Sequence, residues 1–174
     1  GVGALYCRAG VPLSIFLEGG AQERGLRGGT ENVPAIAGMA AALEEACGRM
    51  EEDARRVSAM GEALAEALSR IPRSHRNGGG PDSLPGIINF SFAGVEGEAL
   101  VQMLDQAGIC ASSGSACTSG SLDPSHVLLA LGLSPAAARG SLRFSLSRYN
   151  TMAEVEAVGE VLPAMVRRLR ELSV

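Results

Sequence analysis

Residues 85–111 read PGIINFSFAGVEGEALVQMLDQAGICA, and the pattern changes period twice within them. Over residues 87–92 the apolar Ile88, Phe90 and Phe92 alternate with Asn89 and Ser91, the period of two that marks a half-buried strand. Residues 96–107 read as a helix, with Gly108 just past its end in a usual C-cap position. Residues 109–111 then read as a short second strand.

Downstream the same alternation continues. A serine-rich loop, SSGSACTSGS, occupies residues 112–121 and holds Cys117 at its middle. Asp123 is placed to cap a helix that opens with Pro124 and closes at Gly132. Residues 141–147 read as a strand with Leu142, Phe144 and Leu146 on one face and Ser141, Arg143 and Ser145 on the other. Thr151-Met-Ala-Glu154 is a capping box, so a final helix is expected to start there and bury Val155, Val158, Leu162, Val166 and Leu169. Pro163 should kink it.

Upstream, HRNGGGPDSLPG at residues 75–86 is a turn-rich linker. Asn32 is placed as an N-cap, with Pro34 in the first turn, for one long helix or two nearly continuous ones reaching about Arg70. Before it lies a glycine-rich loop, EGGAQERGLRGGTEN, at residues 18–32. Two apolar runs, residues 1–8 and 13–17, read as a strand pair. The expected fold is therefore α/β: a small C-terminal α+β domain over residues 72–174, a connecting helix or helices over 34–71, and a strand pair with its loop over 1–33 from a larger domain.

Composition narrows the function. An apolar fraction of 46% with 20% charged residues is that of a soluble globular chain, and aromatics at 3% leave the core to Ala, Leu, Val, Ile and Met. A net charge of −4 with no run of like charges argues against nucleic acid as a partner. The longest apolar stretches, such as residues 35–43, are too short to cross a bilayer, and no signal peptide is read. Cys7, Cys47, Cys110 and Cys117 include no C-x-x-C pair and fit neither a zinc site nor a dense disulfide framework. A reducing, cytoplasmic setting and no metal are the plain expectations. All 15 basic residues are arginine; the sequence contains no lysine.

Three places can carry chemistry. Cys117 sits among small polar residues, a setting that favours an exposed, reactive thiolate able to travel between two partners; an ordinary serine-rich turn reads equally well there, and a Cys–His pairing with His75 or His126 is a third option. Arg143, on the polar face of its strand, is suited to a bidentate hold on a substrate carboxylate, against the alternative of a solvated arginine. RGGTEN, residues 27–32, offers backbone N–H groups, the Thr30 hydroxyl and a helix start to an anion.

Taken in order, GVGALY, GGAQERGLRGGTENVPAI, PGIINFSF, VEGEAL, SSGSACTSGSLDPSHVL, ALGL and SLRFSLSRYNT make the chain resemble the C-terminal part of cysteine desulfurases of the iron–sulfur-cluster and nitrogen-fixation type. These belong to the class V aminotransferase group of fold-type I pyridoxal-phosphate enzymes. The resemblance implies roles residue by residue. Cys117 matches the nucleophile that takes sulfur from L-cysteine, leaving L-alanine and a persulfide. Arg143 matches the arginine that binds the substrate carboxylate. Thr30 matches the threonine that reaches the cofactor phosphate of the other subunit of a homodimer. A sulfur-acceptor or scaffold protein of cluster assembly is the implied partner, with TENVPAI and SGSLDPSHVL leaning towards the nitrogen-fixation branch. Selenocysteine lyases and cysteine sulfinate desulfinases share the scaffold. Family members carry pyridoxal phosphate on a lysine just upstream of the strand that GVGALY resembles. This chain, having none, reads as part of a longer enzyme and as inactive alone. The alternative is a non-catalytic sulfur-carrier domain.

Overall fold

The alternating residues Ile87–Phe92 form β2, the central strand of a three-stranded antiparallel sheet ordered β1–β2–β3 in the computed structural model. The structure describes residues 1–80, 82–113 and 124–172. β1 is Ser74–Arg76 and β3 is Ser141–Ser145. The register sets His75 opposite Ser91, Ile88 opposite Phe144, Asn89 opposite Arg143 and Phe90 opposite Leu142. Period two therefore sends Ile88, Phe90, Phe92, Leu142 and Phe144 to one face, and all five are buried. Helices complete that core: α1 (Val33–Ser69) contributes Leu64 and Leu68, α2 (Gly97–Gln106) Leu100 and Leu104, and α5 (Met152–Leu172) Val158, Leu162 and Val166. Each such leucine stabilises the fold by about 1.5–3 kcal/mol relative to an exposed one. α3 (His126–Ala130) and α4 (Pro135–Arg139) lie between α2 and β3 in the chain.

Local signals set the helix ends. Asn32 Oδ1 accepts from the Ala35 N–H at 3.2 Å, so α1 begins at the expected cap and runs as one helix of 37 residues. Gly108, with φ 77°, turns the chain after α2, and the Ile109 N–H donates back to Leu104 O at 2.9 Å. At α5 the capping box closes in both directions: the Thr151 N–H donates to Glu154 Oε2 at 2.8 Å and the Glu154 N–H to Thr151 Oγ1 at 3.3 Å. α5 continues through Pro163 to Leu172. Arginine side chains tie a strand and a turn to α1. Arg76 donates to both carboxylate oxygens of Glu62 at 3.0 and 3.1 Å, and Arg56 donates to Asn150 O at 2.8 Å.

Two compact units divide between Met50 and Glu51. In the first, residues 1–17 form no strand, contrary to the pair expected from sequence. A strand exists only through ladder hydrogen bonds, and the main-chain bond within these residues is a local turn, Val11 N–H to Arg8 O at 3.2 Å. In the second, residues 109–111 form no strand either; pairing is confined to a single bridge between Ser112 and Arg143. The helix after the serine loop is shorter than expected, with Ser125 at its N-cap position, and Asp123 lies outside the described residues. β3 stops at Ser145 rather than Ser147. β1 and α4 are elements the sequence reading did not anticipate.

Candidate functional site

Arg143 stands mid-strand on the sheet face opposite the core, in a strand that is held along both edges. The Phe92 N–H donates to Gly140 O and the Leu146 N–H to Gly86 O, each at 2.8 Å. These bonded pairs alternate with non-bonded ones, which makes Asn89/Arg143 a non-hydrogen-bonded pair. Such pairs have the closest side chains, with Cα atoms about 4.5 Å apart. On its other edge Arg143 exchanges two hydrogen bonds with Ser112: Arg143 N–H to Ser112 O at 2.7 Å and Ser112 N–H to Arg143 O at 3.1 Å. Ser112 is the first residue of the serine-rich loop, so that loop departs from beside Arg143.

The Arg143 side chain is half-buried. Its Nε is fully buried and has no hydrogen-bond partner among the described residues. Leaving a buried donor unsatisfied costs about 1–3 kcal/mol, and a guanidinium fork is matched in shape by a carboxylate or phosphate.

Across the same face runs a polar network that the sequence reading passed over. Asn77 Nδ2 donates to Asn89 Oδ1 and to Ser91 Oγ, both at 2.7 Å, and the Asn77 N–H donates to Asn89 O at 2.9 Å. Asn77 is buried, and its Oδ1 has no partner among the described residues. The available signal was Asn89, in the middle of an apolar strand, on the face that carries Arg143 on the next strand. Behind this face, α2 starts against β3 and the loop. A Cβ on Gly97 would stand 2.4 Å from Ser141 O and 3.3 Å from Ser113 Cβ.

The other candidates fall elsewhere. Cys117 lies outside the described residues. His75 and His126 are exposed, on β1 and at the start of α3. Thr30 belongs to the first unit, where the two glycine pairs fold back on each other: the Gly28 N–H donates to Leu17 O at 3.0 Å, and a Cβ on Gly28 would stand 2.7 Å from Gly19 Cα. Gly29, with φ 101°, then turns the chain, and Thr30 is exposed two residues before the α1 cap. A groove of ≈ 870 Å³ between the end of α1 and α5 is lined by Ala63, Ala67, Val155, Gly159 and Pro163, with Glu156, Glu160 and Arg167 also in its wall; no candidate residue borders it.

Residues 1–158 match the family model described as aminotransferase class-V. A cysteine desulfurase of Gluconacetobacter diazotrophicus is 48% identical over 174 residues, which is 99% of this chain and 44% of that protein. Cysteine desulfurase IscS of Methanosarcina thermophila is 47% identical over 173 residues, 99% of this chain and 43% of that one. Among solved structures, a NifS-like protein superposes with a TM-score of 0.76 at 34% identity, covering 96% of this chain and 40% of its own. A NifS-like protein from Rickettsia africae gives a TM-score of 0.78 at 29% identity, covering 89% and 40%. The chain thus spans less than half the length of the curated relatives it matches.

Proposed function

The chain belongs to the aminotransferase class-V family, and from that premise we propose that it is the C-terminal part of a cysteine desulfurase. The observation that carries the reading is Arg143: a guanidinium with a buried, unpartnered Nε, on a main chain hydrogen-bonded to the residue that opens the Cys117 loop. A guanidinium so placed holds the carboxylate of L-cysteine, and Ser112 anchors one end of the loop beside it. Cys117, as thiolate, attacks the substrate sulfur. An S–S bond forms, the substrate Cβ–S bond breaks with its electron pair left on carbon, and protonation of that carbon gives L-alanine. The balance is L-cysteine plus a thiol giving L-alanine plus a persulfide, with no outside oxidant.

Pyridoxal phosphate is the cofactor implied by the family. The residues present suit its phosphate end: Thr30 offers an exposed hydroxyl beside Gly29 and the start of α1. They do not include its covalent anchor, since the 174 residues contain no lysine. When bound, the cofactor supplies an electron sink for the bonds around the substrate Cα. A homodimer in which Thr30 serves the partner's cofactor, and a sulfur-acceptor protein that takes the persulfide, complete the reading. No described helix is long and apolar enough to cross a membrane.

The test uses the complete gene product, wild type and Cys117→Ala, supplied with L-cysteine and a reductant. Stoichiometric L-alanine and sulfide from the wild type, lost in the variant, support the reading. Equal L-alanine from both removes Cys117 from the reaction. The lysine-free sequence favours one second reading, a carrier domain that accepts persulfide made elsewhere; it requires the wild type to release no L-alanine yet to take sulfur onto Cys117 from a persulfide donor.

A further inference from the structure

We propose that Asn89 is a second donor to the carboxylate held by Arg143, with its amide turned towards that carboxylate by Asn77. This rests on the reading of Arg143 as a carboxylate-binding residue and assigns that subsite a further specificity-determining side chain. Three observations converge. Asn89 and Arg143 are directly opposed in the register and form a non-hydrogen-bonded pair, so their side chains lie side by side on the non-core face. Asn89 Oδ1 is committed on the β1 side, where Asn77 Nδ2 donates to it at 2.7 Å. The oxygen and nitrogen of one planar amide point in opposed directions, so Nδ2 is left on the β3 side, where Arg143 stands. Among the described residues Asn89 Nδ2 makes no hydrogen bond, and Arg143 Nε is buried without an acceptor. Two neighbouring donors, one buried without an acceptor and the other open to solvent, are matched by one ligand rich in acceptors. A carboxylate fits both.

The residue types agree with the role. An acidic side chain at position 89 would pair with the guanidinium and neutralise it. A neutral amide donates without competing for Arg143 and without repelling it. Asn77 sets that orientation in the structure: its Nδ2 bridges Asn89 Oδ1 and Ser91 Oγ, and its main-chain N–H binds the Asn89 carbonyl. If instead the Asn89 amide were reversed, its oxygen would accept from Arg143, and Asn89 would serve only to position the arginine. The two roles respond oppositely to an added negative charge.

The experiment is calorimetric titration of the complete protein, wild type, Asn89→Ala and Asn89→Asp, with L-alanine and with ethylamine, which lacks the carboxylate. Melting temperature serves as the check on folding. The donor role predicts about tenfold weaker L-alanine binding for Asn89→Ala, the loss of one charge-assisted hydrogen bond. It predicts a further loss for the isosteric Asn89→Asp, and ethylamine binding within twofold of wild type in both. Retained or tighter L-alanine binding by Asn89→Asp, or an equal loss for L-alanine and ethylamine, overturns it. A wild type that binds L-alanine in this Asn89-dependent way but leaves L-cysteine intact supports the carboxylate subsite while overturning the desulfurase reading. A wild type blind to L-alanine overturns both.

Discussion

Replacing Gly97 with alanine separates steric packing from backbone preference at the point where α2 meets β3. Gly97 is the first residue of α2 and does not have a left-handed φ, so alanine meets no conformational penalty there. Space is the whole question. The added Cβ would stand 2.4 Å from Ser141 O and 2.8 Å from Arg139 O, where ordinary contact begins near 3.4 Å. Both are main-chain oxygens and cannot swing aside, so α2 or the start of β3 must move by about an ångström. Overpacking of that kind costs about 1–3 kcal/mol, and the better helix propensity of alanine returns at most about 1 kcal/mol. The expected net loss is about 1–2 kcal/mol in urea unfolding followed by circular dichroism. Gly48→Ala, inside α1 with nothing within 4 Å of its would-be Cβ, is the opposite case and should gain about 0.5–1 kcal/mol. If Gly97→Ala is as stable as the wild type, or shifts in the same direction as Gly48→Ala, the close packing of α2 on β3 is refuted.

Leu142→Ala removes a fully buried side chain from the apolar face of β3 and should cost about 2–5 kcal/mol in the same unfolding assay; a loss below 1 kcal/mol would deny that this face is the core. Arg143→Lys keeps the charge but not the fork, so it should raise KM for L-cysteine about as strongly as Arg143→Ala, roughly a hundredfold, with melting temperature little changed; a lysine variant with wild-type KM would sink the bidentate hold. The main-chain hydrogen bond from Thr151 holds the Glu154 carboxyl below its usual range, and Arg76 does the same for Glu62. A lowered folded value contributes stability that is complete above the ordinary carboxylate range, near pH 4.3, and is lost as pH falls through the lowered one. Unfolding free energy measured from pH 7 to pH 3 should therefore fall at the acid end, and less steeply in a Glu62→Gln, Glu154→Gln double variant.

What the sequence made legible was what short-range chemistry decides. Asn32 and the Thr151–Glu154 box announce helix starts through their own hydrogen bonds, and Gly108 announces a stop. The alternation through Phe90 and Leu142 could be read because one sheet face is buried and the other is not. β1 could not be found that way. Ser74–Arg76 is a strand only because β2 offers it a partner, and three polar residues carry no period. Residues 1–17 are the converse, strand-like in composition but without a ladder among the described residues. α4 was within reach: Ser134 accepts from the Ala137 N–H at 3.2 Å and Pro135 opens the helix, an N-cap signature that sequence reading overlooked. At the site, Arg143 was legible from its strand face. Asn89 reads in the sequence only as a polar position of the alternation, because its significance comes from the register with β3 and from Asn77, both long-range facts.

The central claim is that Cys117 receives the sulfur of L-cysteine. The measurement that tests it most directly is peptide mass analysis of the complete protein after brief exposure to L-cysteine without reductant, followed by trapping of persulfides with an alkylating agent. The account predicts that the peptide containing Cys117 gains one sulfur atom that dithiothreitol removes, while those containing Cys7, Cys47 and Cys110 do not. Sulfur on another cysteine, or on none while L-alanine accumulates, would contradict it.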